Sequence, residues 1–350
     1  MTEHLEPEFF LGWAREISRT HPFMDFHVHP FDVFSGDIGY QADVNIKGLF
    51  FKGTAIYKPP TFESNEESLS SRFQTGLDNS RALLLASRLI YNHTGPKVFT
   101  DQLDLAGIAG ALLLPVVRVP DAAMNMVEVA EKMFQQENRL HLACPFPVGI
   151  SPNNLFSYYS EGKKINKICA IKIHPNLVNL DPLTRTGKEL IEATLIAAGE
   201  LELPVVVHGG ITSGLSFPES KVYGTLDRLA KINWNLSTSP VIIAHAGCYG
   251  LTEEEMTSAL PIINRLMDKY PHLLADTSAL SLPILQLLLA KVNRNRLIFG
   301  SDALYFKVWK AWVMFLQALR SVSLYPDDDL IRIASLNPAQ CLAYSGYSSL

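Results

Sequence analysis

Residues 203–247, LPVVVHGGITSGLSFPESKVYGTLDRLAKINWNLSTSPVIIAHAG, hold two short apolar runs, LPVVVH and PVIIAH, each closing on a histidine with glycine close behind. Runs of this length, rich in valine and isoleucine and lacking a polar face, suit strands covered on both sides, as in a parallel sheet. Working outward, the same kind of run recurs. ICAIKIH (168–174), LHLACPFPVGI (140–150) and GIAGALLLPVV (107–117) lie upstream, and LLADTS (273–278) and RLIFGSD (296–302) lie downstream. FMDFHVH (23–29) near the N-terminus makes eight. Longer segments of helical period separate the runs, which is the signature of βαβ units.

Capping residues mark several of those helices. Asp121, just after Pro120, opens DAAMNMVEVAEKMFQQ (121–136) as an N-cap. Thr186 with Glu189, and Thr252 with Glu255, read as capping boxes. Ser281 caps 282–292, with Pro283 in the first turn. Residues 304–320 predict the eighth helix and 327–344 an extra C-terminal helix, while 152–167 carry a weaker signal. Eight strands alternating with helices predict an α/β fold, a (β/α)8 TIM barrel. An open doubly wound sheet binding a dinucleotide would need a G-x-G-x-x-G after the first strand, and none is there. The rhythm breaks once: residues 30–106 separate the first two strands, where a whole βαβ unit takes about 30 residues. The expectation is one barrel domain over 1–350, with residues 31–105 inserted in the first βα loop above the barrel mouth. Phe50, Phe51 and Tyr57 of that insertion line a pocket or pack its own core.

Composition narrows the functional classes. A chain of 350 residues, 47% hydrophobic and 19% charged, has the make-up of a globular protein with one large core. A net charge of −5 offers no basic face for nucleic acid. No apolar stretch reaches the roughly 18 residues of a membrane helix, and MTEHLEPEFF has no signal-peptide pattern. Cys144, Cys169, Cys248 and Cys341 have no metal-finger or redox spacing, and read as free thiols in a reducing cytoplasm. The N-H-T sequon at Asn92 is then fortuitous. The expected partner is a small-molecule substrate, without nucleic acid or membrane, and a homo-oligomer is compatible with this reading.

The chemistry is written in the histidines. Of ten, five fall at predicted strand ends: His27, His29, His174, His208 and His245; the others are His4, His21, His93, His141 and His272. Barrel enzymes place their active sites at the C-terminal strand ends, so five imidazoles on one rim point to chemistry rather than packing. His27 and His29 are two residues apart and project from one side of their strand. With His208, His245 and the strand-end Asp302 they make a metal-ligand set, and Asp302 can also accept a proton from water. Lys172 and His174 share a face as well. A lysine aimed into a barrel is costly unless it is paired or modified. Beside a metal it can become a carbamate bridging two ions; as an ammonium it can hold a substrate carboxylate. Asp25 and Asp276 read as hydrogen-bonding supports.

These residues resemble the amidohydrolase superfamily, in the branch that contains aminocarboxymuconate semialdehyde decarboxylase and related metal-dependent hydrolases. The resemblance runs through M-D-F-H-V-H-P (24–30), A-I-K-I-H-P (170–175), P-V-V-V-H-G-G (204–210), V-I-I-A-H-A-G (241–247), L-A-D-T-S (274–278), F-G-S-D (299–302) and N-P-A (337–339). It implies one divalent metal, Zn2+ foremost, held by His27, His29, His208 and Asp302, with His245 acting beside it. K-I-H on the fourth strand also resembles the two-metal members such as urease. That scheme implies a carbamylated Lys172, a second ion on His208 and His245, and His174 on the substrate carbonyl. The leading expectation is hydrolysis of an amide, ester or lactone by metal-activated water, with Asp302 as base and His245 and His174 stabilising the carbonyl oxygen. The alternative is non-oxidative decarboxylation of an aromatic or unsaturated acid, with Arg72, Arg81 or Arg118 as carboxylate-binding candidates. A metal-retaining binding protein and a metal-dependent nuclease are the remaining, weaker readings.

Overall fold

The structure, a computed structural model, describes residues 6–29, 96–116, 137–165, 167–212, 218–303 and 307–346, together with Val127 and Glu131. All eight expected strands form: β1 (Phe23–Val28), β2 (Ile108–Leu113), β3 (Leu140–Pro145), β4 (Ile168–Ile173), β5 (Val205–Val207), β6 (Val241–Ile243), β7 (Leu273–Asp276) and β8 (Leu297–Ile298). They pair in sequence order, each parallel to the next. The end of β8 meets β1. Phe26 N donates to Phe299 O (2.9 Å), Asp302 N to His27 O (2.9 Å) and His29 N to Ala303 O (3.0 Å). The result is the expected (β/α)8 barrel. Those last two bonds tie the strand ends carrying His27 and Asp302 directly together.

Alternation sorts the strand side chains into two apolar layers. Val205, Val207, Val241 and Ile243 face outward into the core shared with the helices, among Ile191, Leu195, Ile263 and Trp312. Val206, Ile242, Ala170 and Ile298 fill the barrel interior with Phe26 and Leu112. In β1 the alternation is reset. Phe23 and Val28, an odd separation apart, both pack in the outer layer, and the register with β2 shifts between Asp25 and Val28.

Two helix expectations change. The helix Arg185–Glu200 is capped by Thr184, whose Oγ1 accepts from Gly187 N (3.1 Å), and not by a Thr186–Glu189 box. The cause is Gly187, where a Cβ would stand 2.2 Å from Asp181 O; only glycine lets the first turn pack there. Glu189 pairs with Arg185 instead (2.7 Å). The single helix expected over 327–344 is divided into Pro326–Ile331, a π turn Arg332–Leu336 and Asn337–Tyr344. Pro338 has no N–H to return to the preceding turn. The freed Ile333 carbonyl accepts from Phe299 N (3.1 Å), and Asn337 Nδ2 donates to Leu297 O (2.7 Å), so this segment buttresses the short β8. The capping box of Thr252 and Glu255 and the start at Ser281 stand as expected. Most of the 31–105 insertion, its aromatics Phe50, Phe51 and Tyr57, most of 121–136, and Arg72, Arg81 and Arg118 lie outside the described residues.

Candidate metal centre and active site

His27 sits within β1 and Lys172 within β4, while His29, His174, His208, His245 and Asp302 stand just past the ends of β1, β4, β5, β6 and β8. All seven are buried. His27 Nε2 lies 3.4 Å from His29 Nε2 and 3.4 Å from Asp302 Oδ1, and His29 Nε2 lies 3.1 Å from the same oxygen. The His245 ring is 4.8 Å from that of His27. On the opposite side His174 and His208 stack with centroids 3.8 Å apart and planes 9° from parallel. Lys172 Nζ reaches the centre, 3.5 Å from His27 Nε2.

Three imidazoles are oriented by partners on Nδ1. His27 Nδ1 meets Asp276 Oδ2 at 2.7 Å, His29 Nδ1 meets Leu114 O at 3.0 Å, and His245 Nδ1 meets Ser278 O at 3.0 Å. An imidazole that donates from Nδ1 presents its Nε2 lone pair, which is how metal-binding histidines are commonly set. Asp276 does double service, because its other oxygen accepts from His245 N (2.7 Å) and from Ser278 N (3.1 Å). Deeper still, Asp25 accepts from Ser301 N (2.9 Å) and His27 N (3.2 Å), bracing the two strands that carry His27 and Asp302.

Backbone conformation shapes the site too. His245 and Asp302 both adopt left-handed conformations, with φ of 56° and 59°. Such values are uncommon outside glycine, though Asp and His take them more readily than most residues. Gly300 fits because a Cβ there would stand 2.6 Å from that of His27.

Burial sets the protonation states. It lowers His27 to about 3, helped by the Lys172 charge, and it pushes His174 and His208 well below the ordinary imidazole range. His245 is also lowered, again chiefly by burial. Burial alone would raise the Asp302 carboxyl, but His29, His245 and His27 together hold it below the usual carboxylate range. Lys172 falls to about 8 by burial, against the pull of Asp276 and Asp302. The lowered imidazoles of His27, His174, His208 and His245 beside a carboxylate fit a divalent cation.

Two further atoms support that fit. Among the described residues, Nε2 of the buried His208 has no hydrogen-bond partner, and Asp302 Oδ1 accepts no well-aligned hydrogen bond. Among the described residues, His27, His245 and Asp302 offer ligand atoms that all lie within 4.8 Å of one another. This group shares His27 and Asp302 with the set expected from sequence, and adds His245.

Sequence reasoning missed Ser278, whose hydroxyl lies 2.8 Å from His245 Nδ1 and 3.1 Å from His27 Nδ1. It also missed Tyr249, whose ring lies 4.8 Å from that of His245 and 5.4 Å from that of His208. For Ser278 the signal was its place two residues past Asp276 at a strand end. Tyr249 carried none, since a loop brings it in.

The amidohydrolase family model matches residues 164–343, more than half of the chain. The chain belongs to the amidohydrolase family and is an enzyme of that type. A sequence search of curated proteins finds no match. Among solved structures, an uncharacterized TIM-barrel protein from Bordetella bronchiseptica is similar at TM-score 0.59 and 12% identity, covering 93% of this chain and 100% of its own. A zinc-bound amidohydrolase from Burkholderia multivorans follows at 0.56 and 13%, covering 92% and 99%. The 5-carboxyvanillate decarboxylase of Novosphingobium aromaticivorans, complexed with manganese and 4-hydroxy-3-methoxy-5-nitrobenzoic acid, is similar at 0.54 and 11%, covering 93% and 97%. At these identities the likeness is one of fold. No helix among the described residues is long and apolar enough to cross a membrane.

Proposed function

We propose that this chain is a metal-dependent hydrolase of a small-molecule amide, ester or lactone bond, with one divalent ion held by His27, His29, His208 and Asp302. The observation that carries the reading is Asp302: a buried, ionised carboxylate whose Oδ1 lies 3.1 Å from His29 Nε2 and 3.4 Å from His27 Nε2 and, among the described residues, accepts no well-aligned hydrogen bond. His208 completes the set because, among the described residues, nothing else satisfies its buried Nε2. What the cation supplies when bound is Lewis acidity, which acidifies water and polarises a carbonyl. Asp302 takes the proton of the attacking water and returns it to the leaving group. His245, tethered through Nδ1 to Ser278 O, aims Nε2 at the same space and shares that proton traffic. His174 accepts from Leu177 N at its Nδ1 (3.4 Å), so its neutral form carries hydrogen on Nε2 and donates to the carbonyl oxygen. Zinc is the metal favoured by a nitrogen-rich site without cysteine, although such a site accepts several ions.

Lys172 favours a second reading, decarboxylation of an aromatic or unsaturated acid. It is buried, and among the described residues no carboxylate lies within ion-pair distance of its ammonium. A substrate carboxylate would supply that missing partner. One of the proteins with this fold is a decarboxylase crystallised with an aromatic acid.

Turnover of a panel of esters, lactones and amides, measured beside CO2 release from hydroxybenzoates, separates the two. Hydrolysis that disappears in Asp302→Asn supports the first reading; CO2 release without hydrolysis replaces it with the second. Elemental mass spectrometry of the protein purified without chelator adds the metal count. About one ion per chain, unchanged in Lys172→Ala, is expected; two ions falling to one would establish the carbamate bridge instead.

A further inference from the structure

Past β6 the chain runs through Gly247 and Cys248 to Tyr249, which returns over the barrel mouth. Its backbone is pinned to the β5 loop: Ile211 N donates to Tyr249 O (2.7 Å), and Tyr249 N points to Gly209 O (3.4 Å). Gly210 permits this approach, with φ of 121° and room for no side chain, since a Cβ would meet Tyr249 N and O at 2.5 Å. The ring that this pinning presents is only half-buried, and it leans on His208 and His245 together. It therefore spans the gap between the two strand ends on either side of the proposed metal.

We infer that Tyr249 is a substrate-contacting residue, whose hydroxyl donates a hydrogen bond to a carboxyl or carbonyl oxygen of a planar substrate group lying over His208 and His245. Two observations lead there. No protein acceptor is found for the phenol oxygen among the described residues, and it is not sealed from solvent, so its hydrogen is available to a ligand. The glycine at 210 fixes the backbone behind the ring, so the donor is positioned before a ligand arrives. Tyr249 and Asp302 then divide the work: one donates to the substrate's oxygen, the other accepts from water. The inference rests on the barrel-mouth site proposed above but not on the choice between hydrolysis and decarboxylation, since both substrates carry such an oxygen.

The test uses the full chain loaded with zinc, benzoate as the probe, and Tyr249→Phe, which keeps the ring and removes the hydroxyl. Titration calorimetry is expected to show benzoate binding that weakens about tenfold or more in the variant, the scale of one hydrogen bond to a charged acceptor. The wild-type protein is expected to give a tyrosine ultraviolet difference signal on binding that the variant lacks. Metal content and melting temperature should stay unchanged. Equal benzoate affinity in the two proteins, no binding by the wild type, or a fall in metal content in the variant would each overturn the inference. An inactive substrate panel beside intact, Tyr249-dependent benzoate binding would remove the hydrolase reading and leave this one standing.

Discussion

On the side of the rim formed by β1, β6, β7 and β8, His27, His29 and His245 each have a protein acceptor on Nδ1, and Asp25 and Asp276 lock the strand ends behind them. Across the mouth, at β4 and β5, His174 and His208 lean on each other, His208 Nε2 has no partner, and Lys172 has no carboxylate in ion-pair range among the described residues. The first side is braced by the fold, although Asp302 Oδ1 on it is without a well-aligned hydrogen bond among the described residues; the second would be completed by what binds. Unpaired polar atoms in a buried place cost about 1–3 kcal/mol each, and a site that must receive a cation or an anion is where a protein keeps them.

The largest expected effect lies on the assembled side. Asp302→Asn should keep part of its metal and lose about 10²–10⁴-fold in kcat, the range of a general base; a variant with full turnover would show that the proton goes elsewhere. Next comes the choice between the two sides as the source of the fourth ligand. His208→Ala should lose most of its bound metal by elemental analysis, whereas His245→Ala should retain metal and lose turnover. The opposite pattern would move the ligand set to His27, His29, His245 and Asp302. Asp276→Asn tests the bracing itself: it should weaken metal binding about 10–100-fold, as loss of an outer partner to a ligating histidine does. An unchanged affinity would mean that Leu114 O and Ser278 suffice.

The smallest effect on the site itself is that of a control at the far end of the barrel, where His141 stands near the start of β3 and burial lowers it to about 4. Its folded value lies below the unfolded 6.5, so the unfolded chain takes up the proton first on acidification. Its contribution to stability is therefore complete above about pH 6.5 and lost as pH falls toward 4, at up to about 1.4 kcal/mol per pH unit. Urea titrations of wild type and His141→Gln should differ in slope over that window and agree above it. A like slope in both would exclude His141 as the cause.

The strand ends were legible because a barrel puts chemistry at one place in each unit. His27, His29, His174, His208, His245 and Asp302 follow from a period of two and a rule about rims, without any contact being known. The bracing was less visible. Asp25 and Asp276 could be seen as supports, but their pairing with Ser301 and His245 depends on how neighbouring strand ends cross. Thr184 outranked Thr186 as a cap for a tertiary reason, the contact of Gly187 with Asp181. The π turn at Arg332–Leu336 joins a local signal, Pro338, to a tertiary one, the Ile333 carbonyl that accepts from Phe299 N. Tyr249 was hidden because a loop places it.

The left-handed backbone at His245 and Asp302 also bears on how this enzyme could change. Positive φ is open chiefly to glycine, asparagine, aspartate and histidine, and shut to branched side chains. At these two positions β-branched residues are disfavoured, which narrows the alphabet available to natural drift or laboratory evolution. Valine or isoleucine at either position would strain the backbone there as well as remove the polar atom. New specificities in this scaffold should therefore arise from loops such as the one bearing Tyr249, while the two twisted corners stay as they are.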